Sequence, residues 1–205
     1  MPHSWLETAK RMQALAQAGL TYAENGYDRE RYEELQTISL DILHRLTDEP
    51  VEKIRLLFAN ETGYQTPKVD VRAVVFEGKK ILMVREKADN RWSLPGGWAD
   101  VGYSPKEVAV KEVREEAGLV VEPTRLLALL DKKFHPHPPS PFHTYKVFIL
   151  CRTVGGELVP GLETYGVDYF AENCLPDLSV DRITEPQIRL MFELTRHPAR
   201  DIAFD

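Results

Sequence analysis

The sequence predicts an α/β chain, a mixed sheet with a helix on each face, preceded by an all-helical N-terminal extension. Three observations carry this. Apolar residues recur at helical spacing from Ser4 to about Asn60, after which the period shortens to that of strands. A glycine-rich loop then runs directly into a helix with a clear start and stop, and further strand-like runs lead to a last helix. Helices placed both before and after strands in this order suit a sandwich.

In the extension, Trp5, Ala9, Met12 and Ala16 repeat at turn spacing, followed by Tyr32, Leu35, Ile38, Ile42, Leu43 and Leu46, then Val51, Ile54, Leu57 and Phe58. Helix breaks are expected at Ala18-Gly19, at Asn25-Gly26 and at Thr47 to Pro50, with Thr47 or Asp48 as a cap and Pro50 near the first helical position. So many apolar groups exceed what three short solvated helices bury, and such surfaces mark an interface. A symmetric homodimer is the expected use. Residues 1–65 are read as the extension, serving dimerisation and substrate shaping, with a linker from Glu61 to Lys68, and residues 66–205 as the main domain.

Strands follow over Val69 to Phe76 and Ile81 to Val84, joined by a turn at Glu77-Gly78. Trp92 to Leu94 leads into the glycine loop. Arg125 to Lys133, Thr144 to Arg152 and a short run near Val167 to Phe170 are further strands, and Thr184 to Thr195 is the last helix.

The chemistry concentrates in Leu94 to Leu119. Ser104-Pro105-Lys106-Glu107 combines an N-cap, a proline at the first helical position and a glutamate three residues on, and Gly118 supplies the stop. Glu112, Glu115 and Glu116 fall on one arc, beside Ala109, Val110, Val113 and Ala117. Like charges at this spacing repel by about 0.2–0.5 kcal/mol per pair, and a hard divalent cation reverses that sign. Gly96 and Gly97 let backbone approach a ligand closely.

This stretch resembles the Nudix box, G-x5-E-x7-R-E-U-x-E-E-x-G-U with U a bulky aliphatic residue: Gly97, Glu112, Val113, Glu115, Glu116, Gly118 and Leu119 stand in register. Tyr103 replaces the first glutamate and Lys111 the arginine; Asp100 is either a substitute carboxylate or a turn former. The resemblance implies the Nudix sandwich fold, with Glu112, Glu115 and Glu116 as ligands of Mg²⁺, Mn²⁺ being an alternative. Glu163 is then a further ligand or the base, and the Glu115-Glu116 pair is the other candidate base.

Arg85 is a candidate phosphate clamp or an exposed strand-end arginine. His135, His137 and His143 lie in a proline-rich loop; without a companion cysteine or second histidine pair they are read as contacts to a substrate phosphate or base, or as solvent-exposed, in preference to zinc ligands. Arg182, Thr184 and Gln187 open the last helix, and Arg182 is a candidate substrate contact. The helical extension, "GGWADVG", "HPHPP" and "RITEPQI" together are similar to a Nudix subgroup containing CDP-choline pyrophosphatases and proteins labelled ADP-ribose pyrophosphatase. That implies hydrolysis of a nucleoside diphosphate linked to another group, CDP-choline first and ADP-ribose second. A nucleotide sensor without catalysis is the rival from another class.

Composition sets bounds. A net charge of −6 over 205 residues, without a basic cluster, does not mark a long nucleic-acid partner. No apolar run reaches membrane-spanning length, and Cys151 and Cys174 sit in apolar or near-apolar segments without CxxC spacing, so the expectation is a cytoplasmic chain with two buried free thiols.

Overall fold

The computed structural model describes residues 5–59 and 63–205, the side chains of Leu57 and Ala59 excepted. The expected helix start at Ser4, the residues Asn60, Glu61 and Thr62, and the Leu57 side chain therefore lie outside the described residues. The chain divides into two compact units, residues 1–67 with 139–143, and residues 68–138 with 144–205.

The first unit contains α1 (Trp5–Tyr22), α2 (Gly26–Thr47) and α3 (Val51–Ala59). The break expected at Ala18-Gly19 is absent. α1 runs through it, and Gly19 serves close approach: a Cβ there would lie 2.3–2.5 Å from the Tyr32 ring. The break at Asn25-Gly26 is present, with the Asn25 side chain accepting from the Asp28 N–H at 2.8 Å. Asp48 closes α2 in the left-handed conformation (φ 55°), so it is a C-cap rather than the start of the next helix. Ala9, Leu40, Leu43, Ile54 and Phe58 form the unit's core, and Phe142 joins it edge-on to Phe58 at 6.0 Å. The proline-rich loop thus lends a side chain to the helical unit, a contact no local pattern announces.

The second unit is built on β1 (Lys68–Glu77), β2 (Lys80–Glu86), β3 (Trp92–Ser93), β4 (Gly96–Trp98), α4 (Pro105–Ala117), β5 (Leu119–Asp131), β6 (Thr144–Gly156), β7 (Thr164–Ala171), α5 (Glu185–Arg196) and β8 (Ala203–Phe204). β1 pairs in parallel with β6 along one edge; along the other it meets β4 at residues 70–72 and β2 at residues 76–77, both antiparallel. β5 joins β6, β8 joins β5, and β7 joins β2.

Alternation along β1 divides the core between two faces. Val71, Ala73 and Val75 pack with Val108, Ala109, Val113 and Ala117 of α4, whereas Val74 packs with Ile188, Met191 and Phe192 of α5. A helix therefore covers each face of a mixed sheet, the expected sandwich. The parallel β1–β6 pair places α4 and its approach loop beside the middle of the sheet.

Candidate active site

α4 begins with both halves of a capping box: the Glu107 carboxylate accepts from the Ser104 N–H at 2.8 Å, and the Ser104 hydroxyl from the Glu107 N–H at 3.4 Å. Gly118 ends it at φ 73°. The three glutamates between are unequal. Glu116 is buried at 6 % exposure, Glu112 keeps 14 % of its side chain exposed and Glu115 59 %. Glu116 shares the sheet-facing side with Val113 and Ala117, so the acid arc enters the core at its last member.

The glycine loop meets this edge. Gly96 has φ 147°, and a Cβ there would sit 2.0 Å from the Val71 carbonyl, so only glycine fits. Its N–H donates to Glu116 Oε2 at 2.9 Å. A Cβ on Gly97 would lie 3.4–3.6 Å from the Glu112 carboxyl group, which packs against bare backbone. Burial drives Glu116 up to about 8; the Glu86 and Glu112 carboxylates add to the rise, and the Gly96 N–H and Arg72 oppose it. Glu112 is raised too, chiefly by burial.

Both departures from the box meet at one place. Lys111 lies 6.0 Å from the Tyr103 ring centroid, 3.2 Å from Asp100, 3.6 Å from Glu112 and 3.7 Å from Glu115. Asp100 is thus spent on Lys111, which fixes the loop to α4 in place of an arginine-to-glutamate fork. Tyr103→Glu is accordingly expected to raise kcat/KM less than tenfold, since the new carboxylate would compete with Asp100 for one ammonium. A steady-state gain above tenfold, about 1.4 kcal/mol of barrier, contradicts this.

The other sequence-marked residues are dispersed. Glu163 is exposed in the loop before β7, and that loop hooks onto the end of α4, where the Thr164 hydroxyl donates to the Glu116 carbonyl at 2.9 Å. Arg85 Nε donates to the Asn90 carbonyl at 3.3 Å, within its own turn. His135 Nε2 faces Asp205 at 2.9 Å, and His137 Nδ1 lies 2.7 Å from the Val180 carbonyl. His143 belongs to the helical unit, 3.7 Å from Glu7. The three histidines do not converge. Arg182 pairs with Glu86 at 3.3 Å.

Sequence reasoning missed a buried polar layer beside the glycine loop. Asp70 accepts from Arg72 Nη2 at 2.7 Å and from the Lys146 ammonium; Arg72 Nη1 donates to the Leu94 carbonyl at 3.0 Å; Glu86 accepts from the Ser93 hydroxyl at 2.6 Å. A shift in β7 pairing between Arg85 and Glu86 accompanies the inward turn of Glu86. The available signal was Asp70 and Arg72, two residues apart on one strand face and inside an otherwise apolar run.

Among the described residues no three carboxylates, imidazoles or thiols converge as a ready ion cage. The donors still suit a hard cation. Mg²⁺ is typically held by one or two carboxylates, with substrate phosphates and water completing the shell. Buried Glu116 and partly buried Glu112 supply oxygen donors whose mutual repulsion a cation would relieve.

Carboxylates of α4 and the bare backbone of Gly96 and Gly97 are thus brought together, a donor set that suits phosphate-anhydride chemistry with a hard cation. A family model for the NUDIX domain matches residues 66–185, and one for a UDP-X-like, N-terminal oligomerisation domain matches residues 3–58. The chain belongs to the Nudix family and is a pyrophosphohydrolase of it; Nudix hydrolases generally use divalent metal ions. It is 48 % identical over 201 residues to YjhB of Bacillus subtilis, whose name assigns ADP-ribose pyrophosphatase activity provisionally; the match covers 98 % of this chain and 97 % of that one. The crystal structure of a UDP-X diphosphatase is 33 % identical with a TM-score of 0.65, covering 98 % of both chains. An ADP-ribose pyrophosphatase structure from Streptococcus suis is 46 % identical with a TM-score of 0.62, covering 68 % of this chain and all of that one. No helix among the described residues is long and apolar enough to cross a membrane.

Proposed function

We propose that the chain hydrolyses the diphosphate of a nucleoside diphosphate joined to a second group, with CDP-choline as preferred substrate and CMP and phosphocholine as products. The observation that carries the class is Glu112 and Glu116 set against the Gly96-Gly97 backbone, acid donors beside bare main chain that would suit a diphosphate and its cation. Glu112, Glu115 and Glu116 are the proposed metal ligands, with Mg²⁺ the natural ion and Mn²⁺ a substitute. When bound, such an ion neutralises diphosphate charge and acidifies an attacking water. Glu163, carried to the end of α4 by its loop, is the proposed base or a further ligand, with the Glu115-Glu116 pair as the other candidate. Trp98 at the end of β4 and Tyr103 in the loop that follows, each about half exposed, offer aromatic faces of the kind that hold a quaternary ammonium.

A second reading, ADP-ribose, is favoured by the name of the Streptococcus suis relative. One panel tests both: CDP-choline, ADP-ribose, CDP-ethanolamine and nucleoside triphosphates with Mg²⁺ or Mn²⁺, products separated by chromatography. The highest kcat/KM is expected with CDP-choline. A tenfold advantage for ADP-ribose overturns that choice, and metal-independent silence toward every compound favours a sensor.

We also propose that the helical unit makes a homodimer and influences substrate choice. Trp5, Tyr22, Tyr27 and Leu56 are each at least 70 % exposed, an apolar surface that a second copy would cover. Light scattering at micromolar concentration is expected to give twice the chain mass, and a monomer ends the idea. Removing residues before Thr66 is a poorer test, because Phe142 would lose Phe58. Cys151 is buried, whereas Cys174, expected to be buried, is exposed after β7; a free thiol left open in this way suits a reducing cytoplasm.

A further inference from the structure

The helical unit holds a cavity of about 540 Å³ between α1, α2 and α3, within the range of small-molecule sites. Gln13 and Gln17 of α1, one turn apart, line it. They are 1 % and 5 % exposed, yet Gln13 Nε2 and Gln17 Oε1 have no partner. Each amide is anchored through its other end: Gln13 Oε1 lies 2.9 Å from the Ser39 hydroxyl, and Gln17 Nε2 donates to the Gly63 carbonyl at 3.4 Å. One donor and one acceptor are thereby fixed in place without a partner. Leucines there would have sealed the bundle more cheaply, since a buried polar atom lacking its hydrogen bond costs about 1–3 kcal/mol.

Two solvent-exposed arginines add positive charge to the cavity. Arg29 of α2 and Arg55 of α3 line it, and neither guanidinium has a carboxylate partner among the described residues. Elsewhere in this unit Arg31 pairs with Asp28 and Arg45 with Asp41. Leu40 and Phe58 add an apolar wall. Two guanidiniums suit a dianionic phosphate, the amide pair suits the donor and acceptor edge of a base, and the apolar wall suits a ring.

We propose that this cavity binds a nucleoside monophosphate, its phosphate taken by Arg29 and Arg55 and its base edge by Gln13 and Gln17. The site contains none of the candidate active-site residues, so it stands or falls separately from the substrate reading. A nucleoside monophosphate is also what hydrolysis of a nucleoside diphosphate conjugate releases, which would let product act on the helical unit.

Calorimetric titration of the full chain in EDTA, with CMP, AMP and inorganic phosphate in separate runs, tests the proposal. Nucleotide binding is expected to weaken at least tenfold in an Arg29→Ala/Arg55→Ala variant and to persist in Glu116→Gln. Inorganic phosphate alone is expected to bind at least tenfold more weakly than the nucleotides. Gln17→Met, similar in length but without the acceptor, is expected to melt no lower than the parent while losing severalfold in affinity, which separates binding from folding. The kcat of the arginine variant should stay within twofold. No nucleotide binding, binding unchanged by the arginine variant, or binding abolished by Glu116→Gln overturns the proposal. So does an arginine variant that changes only the molar mass in light scattering, which would make the cavity part of a subunit contact.

Discussion

Glu116→Gln is expected to cut turnover by on the order of 10²-fold or more, the scale on which losing one preorganised charge-stabilising group slows an enzyme, while raising the stability of the ion-free protein. Both effects have one cause. The carboxyl is held in the core, where burial, Glu86 and Glu112 favour its neutral form and push it to about 8. A carboxyl raised above its unfolded value favours the fold at low pH, and that contribution is lost as pH rises through about 8. Glutamine cannot ionise and still offers an oxygen to the Gly96 N–H. Melting in EDTA should therefore agree at pH 4 and separate by pH 8, the variant being more stable by about 1–3 kcal/mol, or several degrees in a chain of this size. Glu115→Gln, on an exposed carboxylate, is expected to lose less turnover and to leave stability unchanged. Full activity of Glu116→Gln at saturating divalent ion would remove this helix from the chemistry.

The acid helix was legible because its signals are local: a cap, a proline, three glutamates and a terminal glycine all act within a few turns. The division of strands was legible for the same reason, since Val69 to Phe76 and Ile81 to Val84 carry the short period and a turn glycine between them. What could not be read were consequences of tertiary contact. Gly19 looks like a helix break, but its purpose is to admit the Tyr32 ring from another helix. Phe142 sits in a loop between two strands and packs among helices remote in sequence. The paired edge strand β8 is two residues long, too short for any periodicity. Within the site, spacing placed Glu112, Glu115 and Glu116 together but gave no information on depth, and depth distinguishes them. The partners of the loop histidines were equally illegible: His135 meets Asp205, His137 the Val180 carbonyl and His143 Glu7, all distant in sequence.

Asp70→Asn is expected to be the most destabilising conservative change in the chain, costing about 3–5 kcal/mol, because it strands two buried cations at once. Asp70, Arg72 and Lys146 are each at most 4 % exposed. Arg72 and Lys146 together hold the Asp70 carboxyl far below the ordinary aspartate range, against its burial. Its stabilising contribution is therefore present above the unfolded aspartate value and lost only in strong acid, so the variant's deficit should persist across neutral pH. Lys146→Met is expected to cost less, since Asp70 keeps Arg72 and the ammonium's own burial penalty disappears. The decisive measurement is the double variant. If stranded charge causes the loss, Asp70→Asn/Lys146→Met should be more stable than Asp70→Asn alone, and denaturant melts at pH 7 would show it. If the double variant is instead the weaker, Asp70 acts mainly by shaping backbone. Arg72 links the two possibilities, because the guanidinium that Asp70 orients also donates to the Leu94 carbonyl. Asp70→Asn should then loosen the loop that carries Gly96 to Glu116, and kcat should fall at temperatures where the chain is still fully folded.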